Sequence, residues 1–152
     1  MSVDFAAIDF ETTGYENGGA NEPWQLGVAV VRGSEIVATA EWFFGTPLTP
    51  DFEPMMAQWN DWYPYLSGRR LVAHNIATER TILTRAAPLT DWGPWTDTLK
   101  LARARYPGLP DYTLSGLCTA LGAVPKLEDR TWHDGLFDAV ACANLALKLD
   151  LS

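Results

Sequence analysis

The apolar residues of this chain change period partway along, and that change most limits what it can fold into. Up to Phe44 they come in short β-prone runs, and after Pro54 they recur every three to four positions. Phe5–Phe10 reads as a strand ending in a Thr-Thr-Gly turn. Trp24–Val31 and Glu35–Phe44 flank Arg32-Gly33-Ser34 and read as a hairpin. The opening is therefore three strands, expected as antiparallel neighbours. Met56, Trp59, Tyr63 and Leu66 then mark an amphipathic helix that Pro64 should end or kink. Leu71–Ala73 reads as a short buried strand, Thr78–Ala86 as a helix, and Trp95–Thr98 as a further strand edge. Helices follow at Leu99–Arg105, at Thr113–Leu121 with Gly122 as its stop, and at Leu136–Leu149. In the last, Leu136, Val140, Ala143 and Leu147 form one stripe. Strands first, then alternating helices and short strands, predict an α/β fold: a mixed sheet with helices on its faces.

The 152 residues fit one domain, taken as 1–152, and a hydrophobic share of 47% suits a packed core rather than a disordered chain. No apolar run reaches membrane-spanning length, and the N-terminus lacks a basic segment followed by an apolar one. No membrane partner and no secretory leader are expected, which leaves a cytoplasmic location. Cys118 and Cys142 sit in apolar, helix-like surroundings and read as reduced core thiols; neither has a metal-ligand neighbour at the right spacing. A net charge of −8 argues against coating nucleic acid by charge alone. It leaves room for an enzyme whose clustered carboxylates hold cations, since the cations restore the local sign. Arg69, Arg70, Arg80, Arg85, Arg103 and Arg105 supply some positive charge and otherwise read as solvated surface.

Asp9 and Glu11 are two apart on a strand, so their carboxylates share one face. Side by side they repel, and a hard cation such as Mg²⁺ or Mn²⁺ relieves that repulsion. A bare Asp-x-Glu at a strand end more often just faces water. The surrounding run Ile8-Asp9-Phe10-Glu11-Thr12-Thr13-Gly14 is more specific. Further along come His74-Asn75, with Glu79 four residues after Asn75, and His133, with Asp138 five residues on. Between them lie Asp97-Thr98-Leu99-Lys100-Leu101-Ala102-Arg103, Tyr106-Pro107-Gly108-Leu109 and Thr113-Leu114-Ser115-Gly116-Leu117-Cys118.

In this order the segments resemble the motifs of the DEDDh family of 3′–5′ exonucleases, over nearly the whole chain. The resemblance implies an RNase H-like mixed sheet of three antiparallel strands followed by two parallel ones, flanked by helices. It implies that Asp9, Glu11, Glu79 and Asp138 hold two divalent cations, Mg²⁺ or Mn²⁺, and that His133 is the general base. Thr12, Thr13, Gly14, Tyr15 and Asn75 would contact the substrate: nucleic acid with a free 3′ end, single-stranded DNA first and RNA second. His74 is assigned no catalytic role; it either orients the site or closes a strand. Asn75 contacts substrate or fixes its turn, and Asp97 reads as a helix N-terminal acid rather than a ligand.

Two features depart from the family. Glu79 stands where the family has Asp, one methylene longer, with Thr78 before it in place of Phe. The expectation is that the backbone retreats and Glu79 still reaches a cation. The family's His-Gly-Ile-type segment has no counterpart in Thr46–Gln58. Tyr15 and the pair Trp59 and Trp62 are then alternatives for stacking on bases, the two Trp being equally readable as core. The loop-rich stretches Tyr15–Pro23 and Thr46–Pro54 are expected to border the cleft. The competing function is a catalytically weak module of the same fold that binds nucleic acid ends or a protein partner.

Overall fold

The computed structural model describes residues 4–13, 21–45 and 52–150, without the side chain of residue 52. Its elements are β1 (Phe5–Thr12), β2 (Pro23–Arg32), β3 (Glu35–Phe43), α1 (Phe52–Ala57), α2 (Trp59–Leu66), β4 (Arg70–Ala73), α3 (Ala77–Ala86), β5 (Trp95–Asp97), α4 (Thr98–Arg105), α5 (Leu114–Leu121) and α6 (Gly135–Lys148). The strands form one sheet in the order β3-β2-β1-β4-β5. The first three pair antiparallel and the last two add in parallel, as the sequence predicts. The β2–β3 loop is two residues, and Gly33 takes the positive φ of 69° that this tight turn requires of its first residue.

Helices cover both faces, so the central strands are apolar on both sides. Ala6, Ile8 and Phe10 of β1 pack with Leu26, Val28 and Val30 of β2 against Met55, Trp62, Leu66, Ile82 and Leu83. On the opposite face Phe5 and Ala7 meet Ala29, Val31 and Val72 under Val140, Cys142, Ala143 and Ala146 of α6. The far side of α6 then packs Ala141, Leu145 and Leu149 on Leu117 and Cys118 of α5 and Ala102 of α4. The expected stripe Leu136, Val140, Ala143 and Leu147 packs on the sheet-facing core, and α6, lying between the sheet and α5, is apolar around most of its circumference as well. Cys118 and Cys142 are free, buried thiols, as expected. Among the described residues no helix is long and apolar enough to cross a membrane.

Local signals moved three boundaries. The helical break falls at Gln58, between α1 and α2, and Pro64 sits inside α2. The carbonyl of Met55 left by that break accepts the buried Trp62 Nε1–H at 2.8 Å. Near the end of α2, the carbonyls of Pro64 and Tyr65 accept from Arg69, at 3.1 and 2.6 Å, and Gly68 supplies the positive φ after the last turn. β1 also runs past Phe10 to Thr12, because β2 offers partners as far as Pro23.

Candidate active site

The pleat of β1 sends Asp9 and Glu11 to the α6 side of the sheet, opposite Gly27 and Gln25 of β2. Gly27 is what lets α6 come close. A Cβ there would lie 2.1 Å from the carbonyl oxygen of Gly135, so any larger residue would push the helix start off the sheet. Seated on this glycine, α6 places Asp138 of its first turn beside the strand carboxylates. Oxygens of Asp9, Glu11 and Asp138 lie within 4.8 Å of one another. Asp9 Oδ2 and Asp138 Oδ1 are buried and have no hydrogen-bond partner.

Such an arrangement is costly for a metal-free protein. Burial, a hydrogen bond with Glu11 and the nearby charges of Glu79, Glu11 and Asp138 hold the Asp9 carboxyl well above its usual range. Burial, followed by the Glu11 charge, pushes Asp138 up to about 8. Three hard oxygen donors, two of them with undonated buried oxygens, form the donor set that a divalent cation of the Mg²⁺ or Mn²⁺ type fits.

Glu79 reaches the same place from the other face. It lies in the first turn of α3, whose Ile82 and Leu83 pack in the opposite core. The parallel ladder of β1 with β4 stops at Ala7, so the β1 backbone beyond it needs another partner. Glu79 Oε1 accepts the Phe10 N–H at 3.3 Å, a reach that its extra methylene serves. Burial raises its carboxyl to about 7, against the lowering effect of its own and the Phe10 N–H. Glu79 is buried in the same pocket without joining the 4.8 Å trio.

That pocket, about 270 Å³, is lined by Asp9, Glu11, Thr12, His74, Asn75, Glu79, His133 and Asp138. Larger open clefts of about 480 and 570 Å³ border α5 and α6, and neither holds more than one carboxylate. His133 is exposed at the pocket, with its N–H donating to Asp138 Oδ2 at 3.2 Å. His133 and Asn75 have φ of 70° and 64°. Positive φ is strained for side-chain-bearing residues and persists where surroundings enforce it. At Asn75 the enforcing group is Asp97, whose carboxylate accepts from the N–H groups of Asn75 (2.8 Å), Ile76 (3.4 Å) and Leu99 (2.9 Å). Asp97 is thus a cap for α4 and a clasp for the turn into α3.

His74 is fastened at both ring nitrogens, to Thr98 Oγ1 and to the Tyr112 carbonyl, each at 2.8 Å. Burial lowers its pKa, and Nε2–H donates to the Tyr112 carbonyl, which can only accept. It joins the end of β4 to α4 and to the segment before α5.

Some expected contacts are placed elsewhere. Thr13 is not a lining residue; its Oγ1 accepts the Glu22 N–H at 3.1 Å and its N–H donates to the Glu22 carbonyl, joining the end of β1 to the start of β2. Gly14 and Tyr15, and most of the two loops expected to border the cleft, lie outside the described residues. Trp62 is fully buried and cannot stack on a base, while Trp59 is half-buried and stacked on Tyr63 at 4.5 Å. Of the arginines read as surface charge, Arg85 pairs with Glu22 at 2.8 Å and Arg103 lies over the Tyr112 ring.

The sequence reading missed a set of side chains behind His133. The Arg130 guanidinium grips both carboxylate oxygens of Glu41 on β3 and also reaches Asp134 at 3.2 Å. Asp134 is the N-cap of α6, accepting the Phe137 N–H at 3.0 Å. Buried Gln25 donates to Glu41 and Asp134, each at 3.1 Å, and accepts the Gly135 N–H at 2.8 Å. Burial alone would raise the Asp134 carboxyl, but these donors hold it below its usual value. The sequence signal available was Asp134-Gly135 directly before an apolar periodic run.

No protein-family model matches the chain. A curated relative, "DNA polymerase III PolC-type" of Halalkalibacterium halodurans, is 26% identical over 98% of this chain, which spans only 11% of that protein. Among solved structures, exonuclease X in complex with 5′ overhanging duplex DNA superposes with a TM-score of 0.71 at 20% identity, covering 95% of this chain and 90% of that one. An exonuclease I structure gives 0.71 at 16% identity, over 97% of this chain and 41% of that one. E. coli exonuclease I with an oligonucleotide gives 0.69 at 17% identity, over 97% and 40%. In its RNase H-like fold the chain is similar to these 3′–5′ exonucleases of the DEDD type.

Proposed function

We propose that this chain is a divalent-cation-dependent 3′–5′ exonuclease acting on DNA, with single strands as the first substrate and RNA as the second. The observation that carries this reading is the trio Asp9, Glu11 and Asp138, crowded within 4.8 Å with two buried oxygens lacking donors. Asp9, Glu11 and Asp138 would hold the cations from the α6 face, with Glu79 contributing from the α3 face. Two bound cations, Mg²⁺ or Mn²⁺, would lower the pKa of the attacking water and stabilise the attacking and leaving oxygens.

The remaining roles belong to the protein. His133, exposed at the mouth, takes the water proton on a ring nitrogen, the role of a general base. Thr12 and Asn75 line the pocket where the terminal nucleotide sits, and Gly14 and Tyr15 are assigned to the same contact by motif. A net charge of −8 is compatible with this chemistry, since phosphate meets cations rather than a basic track.

The test uses 3′- and 5′-labelled single-stranded DNA and RNA with Mg²⁺, Mn²⁺ or chelator. Stepwise shortening from the 3′ end that chelator stops is the expected result. Tight binding of ends with no shortening under any cation would replace the enzyme with a binding module. The position of Glu79 outside the trio is what keeps that second reading in view.

A further inference from the structure

The pocket residue His133 is strained and exposed, yet its neighbours in sequence are held by several side-chain contacts. On one side Trp132 packs edge-to-face on Phe137, with ring centroids 4.9 Å apart. On the other, Asp134 caps α6 and receives bonds from Gln25 and Arg130. Arg130 in turn is clamped by Glu41, which belongs to the edge strand of the sheet. Two side chains from two strands, Gln25 of β2 and Glu41 of β3, thus converge on Arg130 and Asp134, the ends of the five residues 130–134. Neither Gln25, Glu41, Arg130 nor Asp134 lines the pocket. A lone ion pair with one-third of its side chain exposed adds little to stability, but a forked Arg–carboxylate pair inside a network fixes geometry.

We propose that Arg130, clamped by Glu41 and bonded to Asp134, is a positioning residue that fixes the 130–134 segment so that His133 faces the carboxylate trio. The clamp acts on His133 more directly than on the cation ligands: Asp9 and Glu11 lie on β1, and Asp138, which accepts the His133 N–H, is held as well by the seating of α6 on Gly27. This inference rests on the exonuclease reading.

The experiment compares wild type, Arg130→Ala, Arg130→Lys and Glu41→Gln, each checked for folding by circular dichroism and thermal melting. Turnover on 3′-labelled single-stranded DNA is measured at saturating Mn²⁺. Mn²⁺ affinity is measured by titration calorimetry, and amide exchange is followed across residues 129–135. Arg130→Ala is expected to lower kcat roughly 10- to 100-fold, since a misplaced catalytic group loses rate on that scale. KM and Mn²⁺ affinity should stay within about twofold, and amide exchange should rise in the segment. Arg130→Lys, which keeps the charge and loses the fork, should fall between, as should Glu41→Gln. Added guanidinium ion should restore part of the rate to Arg130→Ala.

Wild-type kcat in folded Arg130→Ala overturns the inference. So does a loss that follows Mn²⁺ affinity, or one shared equally with KM. A wild type that cuts no DNA is a different failure, that of the exonuclease reading. The amide-exchange comparison then decides whether Arg130 fixes the segment, and unchanged exchange overturns that as well.

Discussion

Two helices deliver a carboxylate to the pocket from opposite faces of the sheet, and they do so in parallel ways. Each is entered through a residue with positive φ, Asn75 before α3 and His133 before α6. Each carries its acid in the first turn, Glu79 and Asp138. Their environments differ. Each accepts one backbone N–H, Asp138 from His133 and Glu79 from Phe10, but Asp138 sits in the 4.8 Å trio with its other oxygen buried and undonated, whereas Glu79 stays outside the trio. A buried acceptor with a protein donor is partly satisfied, and one without is satisfied only by a proton or a cation. The site is therefore unequal: the α6 half leaves a buried carboxylate oxygen open to a proton or a cation, and the α3 half is braced by the strand.

The largest expected effect tests that inequality directly. Asp138→Asn should cost several kcal/mol of transition-state stabilisation, roughly a 10³-fold loss of Mn²⁺-dependent cleavage, in single-turnover assays on labelled DNA. Glu79→Ala should also reduce cleavage strongly, but by about 10- to 100-fold, the range for groups that support metal ligands. Equal losses would make the two halves equivalent, and unchanged activity in Glu79→Ala would remove Glu79 from the site.

The pH dependence of stability sharpens the same comparison. Asp138 is raised to about 8 and Glu79 to about 7, both by burial first. Each then binds its proton more tightly in the folded chain than in the unfolded one. Their contribution to stability is fully present below the ordinary carboxylate range and is lost as pH rises through these values. In chelator, thermal midpoints should fall between pH 5 and pH 9, and excess Mn²⁺ at the high end should restore them by mass action. Asp138→Asn should flatten the profile more than Glu79→Gln. A chelated protein whose midpoint rises over that interval would contradict the raised values.

What the sequence disclosed follows from which interactions are local. Asp9 and Glu11 were legible because strand alternation fixes their shared face, and Asp97 because its place before a helix announces a cap. The three opening strands and the mixed α/β class followed from the change of period and one turn, and the full five-strand topology from the family resemblance. Gln25, Glu41 and Arg130 were not legible. Gln25 acts on Gly135 across 110 positions, and Glu41 meets Arg130 across 89, through a register that no local pattern encodes. Trp59 and Trp62 recur at helical spacing whether they face a core or a base, so periodicity could not separate the two. Pro64 misled because proline inside a helix usually ends it; here the break lies at Gln58, where Trp62 supplies a donor for the Met55 carbonyl.

The smallest expected effect concerns the clasp of the α3 half. One carboxylate, Asp97, accepts from three N–H groups, two at the Asn75 turn and one at the start of α4. Asp97→Ala leaves all three without that acceptor and should cost about 1–2 kcal/mol, a cap-sized loss. For a chain of this length that lowers the thermal midpoint by roughly 2–8 °C. The α6 half has its own supports, the Gly27 seat and the Gln25–Asp134 bonds, so Mn²⁺ affinity in calorimetry should stay within about twofold of wild type. If Asp97→Ala weakens Mn²⁺ binding as far as Asp138→Asn does, the halves are mechanically one unit and their inequality is only electrostatic.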